Sequence, residues 1–421
     1  MTNISSIQSL ALDLPPSCIA FCPQQPTYFV IGTYYLHAKA ASSVHEANSL
    51  PNDNGEGDSQ KRSGSLILYR LHRDDITLIA TEATPDFSVL DIQWSSYPST
   101  ESPVLAVATS TGLLMFYHLE HDCDNASLSA FSTKRVSDES TLVLSCIWHP
   151  QRADTIAVTL SDGRVCLIRS TAGKGELWAE DSTVTVTDIY QHSLEAWTVA
   201  FTSDFEREYL LSGGDDATLQ CSRVDIEDET TLLWQDRKSH IAGVTAILPI
   251  TSELFLTGSY DDHIRLISTL AGRRRVVAEL NLGGGVWRLQ LLHDNESAEV
   301  EVGFRDDTTR VSASNHINLR GVRSPSKDAV RRGCRSRLRS ILILASCMHA
   351  GTRVLRLGRF EDEDWRLEVL AKFEEHRSMN YGSAVRPSDQ ATITIVSTSF
   401  YDKLLCLWRF SLPDIGWEVQ V

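Results

Sequence analysis

The sequence predicts an all-β chain folded as a seven-bladed β-propeller, and three observations predict it. The first is a repeated turn. Ser212-Gly213-Gly214-Asp215-Asp216 is echoed by Gly258-Ser259-Tyr260-Asp261-Asp262, and alternating aliphatic residues follow each aspartate pair. Gly and Asp suit a tight turn, and period-two alternation suits a half-buried strand. The second is spacing. Asp216 and Asp261 stand 45 residues apart, the length of one WD-type repeat, which forms one four-stranded blade. The third is that short strand-like runs punctuated by turns recur along the chain. Helical periodicity is weak, and only residues 328–344 could pass as a helix.

Taken in order, the first unit pairs Ile19-Ala20-Phe21-Cys22 with Tyr28-Phe29-Val30-Ile31 and resumes at Gly64 after a polar insertion, residues 37–63. That insertion has the composition of a disordered loop. The second unit runs from Val89 to Tyr117, and the third from Leu144 to Leu167 with Asp162 in the turn register. The fourth and fifth are the echoed pair above. The sixth opens at Gly283-Gly284-Gly285-Val286-Trp287-Arg288 and carries a basic insertion, residues 306–340. The seventh ends at Asp402 and Trp408, which keep the repeat's spacing. The segment from Ser6 to Leu14 is the candidate strand for closing the ring. Asp162, Asp216, Asp261 and Asp402 read as turn aspartates bonding their own backbone. His240 reads as a structural histidine, and Trp94 and Trp148 as blade-packing residues. The basic insertion reads as a solvated loop rather than a docking or import tract.

Composition narrows the function. The 421-residue chain, read as a single propeller, holds 39 Lys and Arg against 55 Asp and Glu, a net charge of −16. That sign argues against binding a phosphate backbone and is compatible with a cationic substrate or partner. Nine scattered cysteines without a CxxC pair fit buried thiols in a reducing compartment, so the cytoplasm is expected. No stretch reads as a signal peptide or a membrane span. No nucleophile elbow, phosphate-binding loop or zinc-spaced cluster is present, so neither a metal nor a cofactor is expected.

The informative signal is positional. In a propeller, the loop entering the innermost strand and the turn between the second and third strands open on one face. Glu195, Trp197, Trp287 and Arg288 fall in entering loops, together with Asn380-Tyr381-Gly382. Asp215, Tyr260, His263, His349 and Tyr401 fall in within-blade turns. They exceed what turn chemistry requires, and they would meet around one channel mouth on loops held by a rigid scaffold.

The same residues carry a resemblance. The ordered set His192 to Trp197, Ser212 to Asp216, Gly258 to His263, Gly283 to Arg288, Ala345 to Gly351 and Ser399 to Asp402 resembles the diphthine methylesterase family. Gly32-Thr33-Tyr34-Tyr35-Leu36 resembles that family's first blade. The resemblance implies a cofactor-free hydrolase of the methyl ester on the modified histidine of translation elongation factor 2, yielding diphthine for amidation. Translation elongation factor 2 would be the protein partner, with no nucleic acid or membrane involved. The substrate's trimethylammonium group suits aromatic faces, which Trp197, Trp287, Tyr260 and Tyr401 could offer, with Glu195 and Asp215 as counter-charge. His349 or His263 would be the base for a water, and Arg288 or nearby backbone amides would stabilise the oxyanion. Without the resemblance, a non-catalytic scaffold is the alternative, since propellers are commonly used so.

Overall fold

The computed structural model describes residues 2–38, 60–97, 102–122, 125–171, 177–203, 207–224, 230–292, 340–359, 364–387 and 392–411. Seven sheets follow one another along these residues, and each is a blade of a β-propeller. Blades 1 to 5 occupy residues 16–84, 89–135, 143–191, 196–236 and 244–281, and blades 6 and 7 occupy 288–373 and 382–411. Each blade winds outward as an antiparallel meander, as in blade 3, where Val143–Trp148, Thr155–Leu160, Arg164–Thr171 and Thr183–Gln191 pair in sequence order.

The ring closes as the sequence suggests. Gln8–Ala11 is the outermost strand of blade 7 and pairs antiparallel with Leu404–Ser411. A second tie was not expected. Thr2–Ile4 runs parallel to Trp365–Phe373, the outermost strand of blade 6, so the N-terminal segment holds two blades. Ser340–Ser346, which overlaps the end of the stretch that could pass as a helix, is instead the second strand of blade 6. Its β-branched and leucine-rich run is flanked on both sides by paired strands, and pairing outweighs its weak helical periodicity. Residues 39–59 and 293–339, which include the bulk of both insertions, lie outside the described residues, although strand Arg62–His72 begins inside the range assigned to the first.

Burial follows the blade interfaces. Seven clusters of buried apolar side chains each join two neighbouring blades, so the core is seven radial wedges. Phe29, Phe116, Phe255, Phe373 and Trp408 are fully buried in them. Each such side chain contributes about 1.5–3 kcal/mol of burial. Trp94 and Trp148 act between blades, their Nε1 atoms donating to the Ala20 and Gln93 carbonyls of the preceding innermost strand. The seven described cysteines are buried and free.

The repeat's polar latch is clearest in blade 4. His192 lies 3.1 Å by Nδ1 from Asp216 Oδ1 and 3.0 Å by Nε2 from Ser212 Oγ, and Gln220 donates to the same hydroxyl. Asp216 also accepts the backbone N–H groups of Ser193 and Thr218. Burial alone would raise its pKa, but these hydrogen bonds and His192 outweigh it and hold the carboxyl well below its usual range. His240 with Thr257, and His376 with Ser397 and Trp408, repeat the histidine–hydroxyl part of the latch.

Candidate active site at the channel mouth

Geometry at the top of each innermost strand builds the site. In blades 1 to 5 the strand opens with a β-bulge, and the bulged residues are Ser17, Leu90, Leu144, Trp197 and Thr245. Trp287 and Tyr381 precede the innermost strands of blades 6 and 7 at the corresponding place. A bulge re-aims its side chain. Three of these seven positions are therefore large aromatics, all on one side of the channel.

The rings touch in series. Trp197 and Trp287 have centroids 5.4 Å apart, and Trp287 and Tyr381 5.0 Å. Tyr260 stands 5.9 Å from Trp287 and 6.3 Å from Trp197. The arc continues from Tyr381 to Phe400 at 5.4 Å, then to Tyr401 at 5.0 Å and to Tyr34 at 6.3 Å. Side chains from blades 4, 5, 6, 7 and 1 thus form one aromatic wall. Close backbone approach permits it. A Cβ on Gly285 would meet Met348 Sδ at 2.8 Å, and one on Gly243 would lie 2.8 Å from Asp215 Oδ1 and 2.9 Å from Tyr260 Cδ2.

Carboxylates edge this wall. Trp197 Nε1 donates to Asp215 Oδ1 at 3.0 Å, which fixes the indole plane. The Glu195 carbonyl accepts the Asp215 N–H at 2.8 Å. Burial, then the charges of Asp215, Tyr381 and Glu195, push the Tyr260 phenol above its usual range. The phenol therefore stays protonated beside two acids. Beneath Trp287 and Tyr381 lies a buried polar support, in which Asn380 Oδ1 accepts the hydroxyls of Thr352 and Ser383, and Ser383 bonds Ser346. The Trp287 N–H donates to the Ser346 carbonyl at 2.8 Å.

One residue further down each strand sits a second ring of positions, and two of them carry charge. Arg288 of blade 6 reaches across to Asp91 of blade 2, Nη2 to Oδ1 at 2.9 Å. Asp91 is 2 % exposed and also accepts the N–H groups of Ile92 and Cys146. Both residues line a central cavity of about 480 Å³, along with Trp197 and Tyr381.

The structure brings Glu195, Trp197, Asp215, Tyr260, Trp287 and Arg288 to one mouth, with Tyr401 at its exposed rim, 71 % accessible. His349 lies on the same face, in an exposed turn packed on the segment leading to Trp287. Gly284 would meet the Cys347 carbonyl there, and Met348 bridges to Asn380. His263 is not drawn into the wall. Its ring faces its own blade, with Nδ1 2.6 Å from the Asp261 carbonyl and Nε2 3.7 Å from Glu279. Tyr34, Tyr381, Phe400 and Asp91 also belong to the site. The sequence placed Tyr381 in an entering loop, and Tyr34 and Phe400 fall within the segments that carry the family resemblance, but nothing near Asp91 marked it.

The fold and this mouth define a seven-bladed propeller of WD type with one aromatic, acid-edged pocket on the channel. In sequence the chain is similar to a diphthine methyltransferase of Schizosaccharomyces pombe, 29% identical over 351 residues, covering 83% of this chain and 86% of that one. It is also 24% identical to the diphthine methyltransferase of Mus musculus, over 90% of this chain and 68% of the other. A chain in the crystal structure of a mitotic checkpoint complex superposes with a TM-score of 0.60 at 14% identity, covering 98% of this chain and 94% of that one, a likeness of fold. No family model matches the chain.

Proposed function

We propose that this protein acts in diphthamide biosynthesis, and that it hydrolyses the methyl ester of methylated diphthine on translation elongation factor 2. Its similarity to proteins named diphthine methyltransferase supports the pathway. The observation that carries the substrate reading is the aromatic wall edged by Asp215 and Glu195. Quaternary ammonium groups are held by such faces at about 0.5–2 kcal/mol per contact. The reaction adds water to the ester and releases the carboxylate, methanol and a proton. In this reading His349, exposed in a turn on the same face, is the base that takes the proton from water. Arg288 offers donors to the carbonyl oxygen as it gains charge. Free buried thiols support a cytoplasmic setting.

The relatives' name favours a second reading, transfer of a methyl group to the factor. One experiment separates the readings. Purified protein is incubated with methylated elongation factor 2 and no methyl donor, and methanol is measured. Release at several times background supports hydrolysis. No release, with methyl incorporation into unmethylated factor once a donor is added, supports transfer. Neither reaction, with a stable complex between the two proteins, supports a non-catalytic scaffold.

A further inference from the structure

Arg288 has more donors than the protein uses. A guanidinium carries five N–H donors, and among the described residues it has one acceptor, Asp91 Oδ1. Its side chain is 31 % accessible, and it lines the central cavity. None of its nitrogens is a buried atom left without a partner, so the unused donors are open to water in the free protein and available to a ligand in the cavity. Burial acts to lower its pKa, but Asp91 outweighs that, so the guanidinium stays charged. Two facts then coincide. Arg288 directly follows Trp287, their Cα atoms about 4 Å apart, and its charge is already balanced by a carboxylate.

We propose that Arg288 and Asp91 form the lower half of a two-part site, whose ligand carries a quaternary ammonium group in the aromatic wall and a carbonyl group on Arg288. In this site Asp91 sets the preference between a neutral carbonyl and a carboxylate. The upper half rests on the function proposed above. The lower half rests on the cross-channel pair alone. An unpaired arginine would favour a carboxylate strongly, because opposite unit charges a few ångströms apart attract more strongly than a charge and a neutral dipole. Paired with Asp91, it keeps its hydrogen-bonding geometry while its net charge is cancelled. A neutral ester carbonyl is then accepted, and the carboxylate made from it is held no more tightly than the ester it came from. Asp91 is thus a positioning and specificity residue, which does not itself touch the ligand.

The test measures binding, which separates it from turnover. The probes are tetramethylammonium, trimethylglycine and the (2-oxopropyl)trimethylammonium ion, which carry the cation alone, the cation with a carboxylate, and the cation with a ketone that water does not cleave. Titration calorimetry on the full chain gives the three dissociation constants. In the wild type, the ketone and the carboxylate should bind within about threefold of each other, and both more tightly than tetramethylammonium. Asp91→Asn should move the ratio at least tenfold toward the carboxylate. Arg288→Gln should bring both within about twofold of tetramethylammonium, and this variant tests the proposal even if Asp91→Asn does not fold. Unchanged ratios in the variants, with tetramethylammonium still bound, overturn this proposal alone. No binding of tetramethylammonium by the wild type overturns it together with the aromatic reading of the mouth.

Discussion

Asp215 and Asp216 are adjacent in the chain and have different work. Asp216 is committed to His192 and two backbone N–H groups, whereas Asp215 turns to the indole of Trp197. Asp216→Asn should therefore cost about 1–3 kcal/mol at neutral pH by chemical denaturation. Because the folded carboxyl titrates below its unfolded value, that advantage is fully present above about pH 4 and fades as pH falls through the folded value. Asp215→Asn should leave the denaturation midpoint nearly unchanged and raise KM for the methylated factor. Truncating Trp287, which touches Trp197, Tyr260 and Tyr381, removes a central face of the wall. Trp287→Ala should lower kcat/KM by roughly 10-fold or more, as expected for one or two lost cation–π contacts. The two histidines separate by position. His349→Ala should lower kcat about 100-fold or more if it removes the general base. His263→Ala should change kcat by only a few-fold, since its ring is held by Asp261 and Glu279.

At the scale of the element, the start of the innermost strand decides the site. That Trp197 and Trp287 would meet was legible in the sequence, because they stand at matching places in two repeats. The glycines ahead of Trp287 and the aspartates after Gly214 marked the turns as well. The ring that His263 faces was not legible. It opens the third strand of blade 5, where one step of alternation decides between the channel and the outer strand, and its side chain meets Glu279 and Asn281 outside. Asp91 was illegible for another reason. It lies in a plain strand run, and its partner is 197 residues away, so the pair exists only once the ring closes. Ser340–Ser346 was masked by the basic residues before it, which blurred its alternation until pairing with Arg288–Leu291 and Thr352–Arg359 fixed it.

At the scale of the whole molecule, acid is a global threat through the latch histidines. Burial, then the charge of Arg265, drives His240 down to about 4, and burial drives His376 to about 4 against the pull of Asp402 and Glu375. Both are neutral in the folded state. An unfolded histidine takes a proton near pH 6.5, so this stability is full above that value and is lost as pH falls from 6.5 toward 4. Each should cost about 2 kcal/mol between pH 7 and pH 5, and His376→Gln should flatten its share of the slope in urea titrations at the two pH values. The double tie of the N-terminal segment has a consequence of its own. Thr2–Ile4 and Gln8–Ala11 fasten blades 6 and 7, the two blades whose Trp287 and Tyr381 rings meet at 5.0 Å. Peeling this seam would break only these two short pairings and part the two rings before the other strands separated, so on gentle heating the indole emission should shift ahead of most of the far-ultraviolet signal, and binding competence should vanish while the protein still looks largely β by spectroscopy.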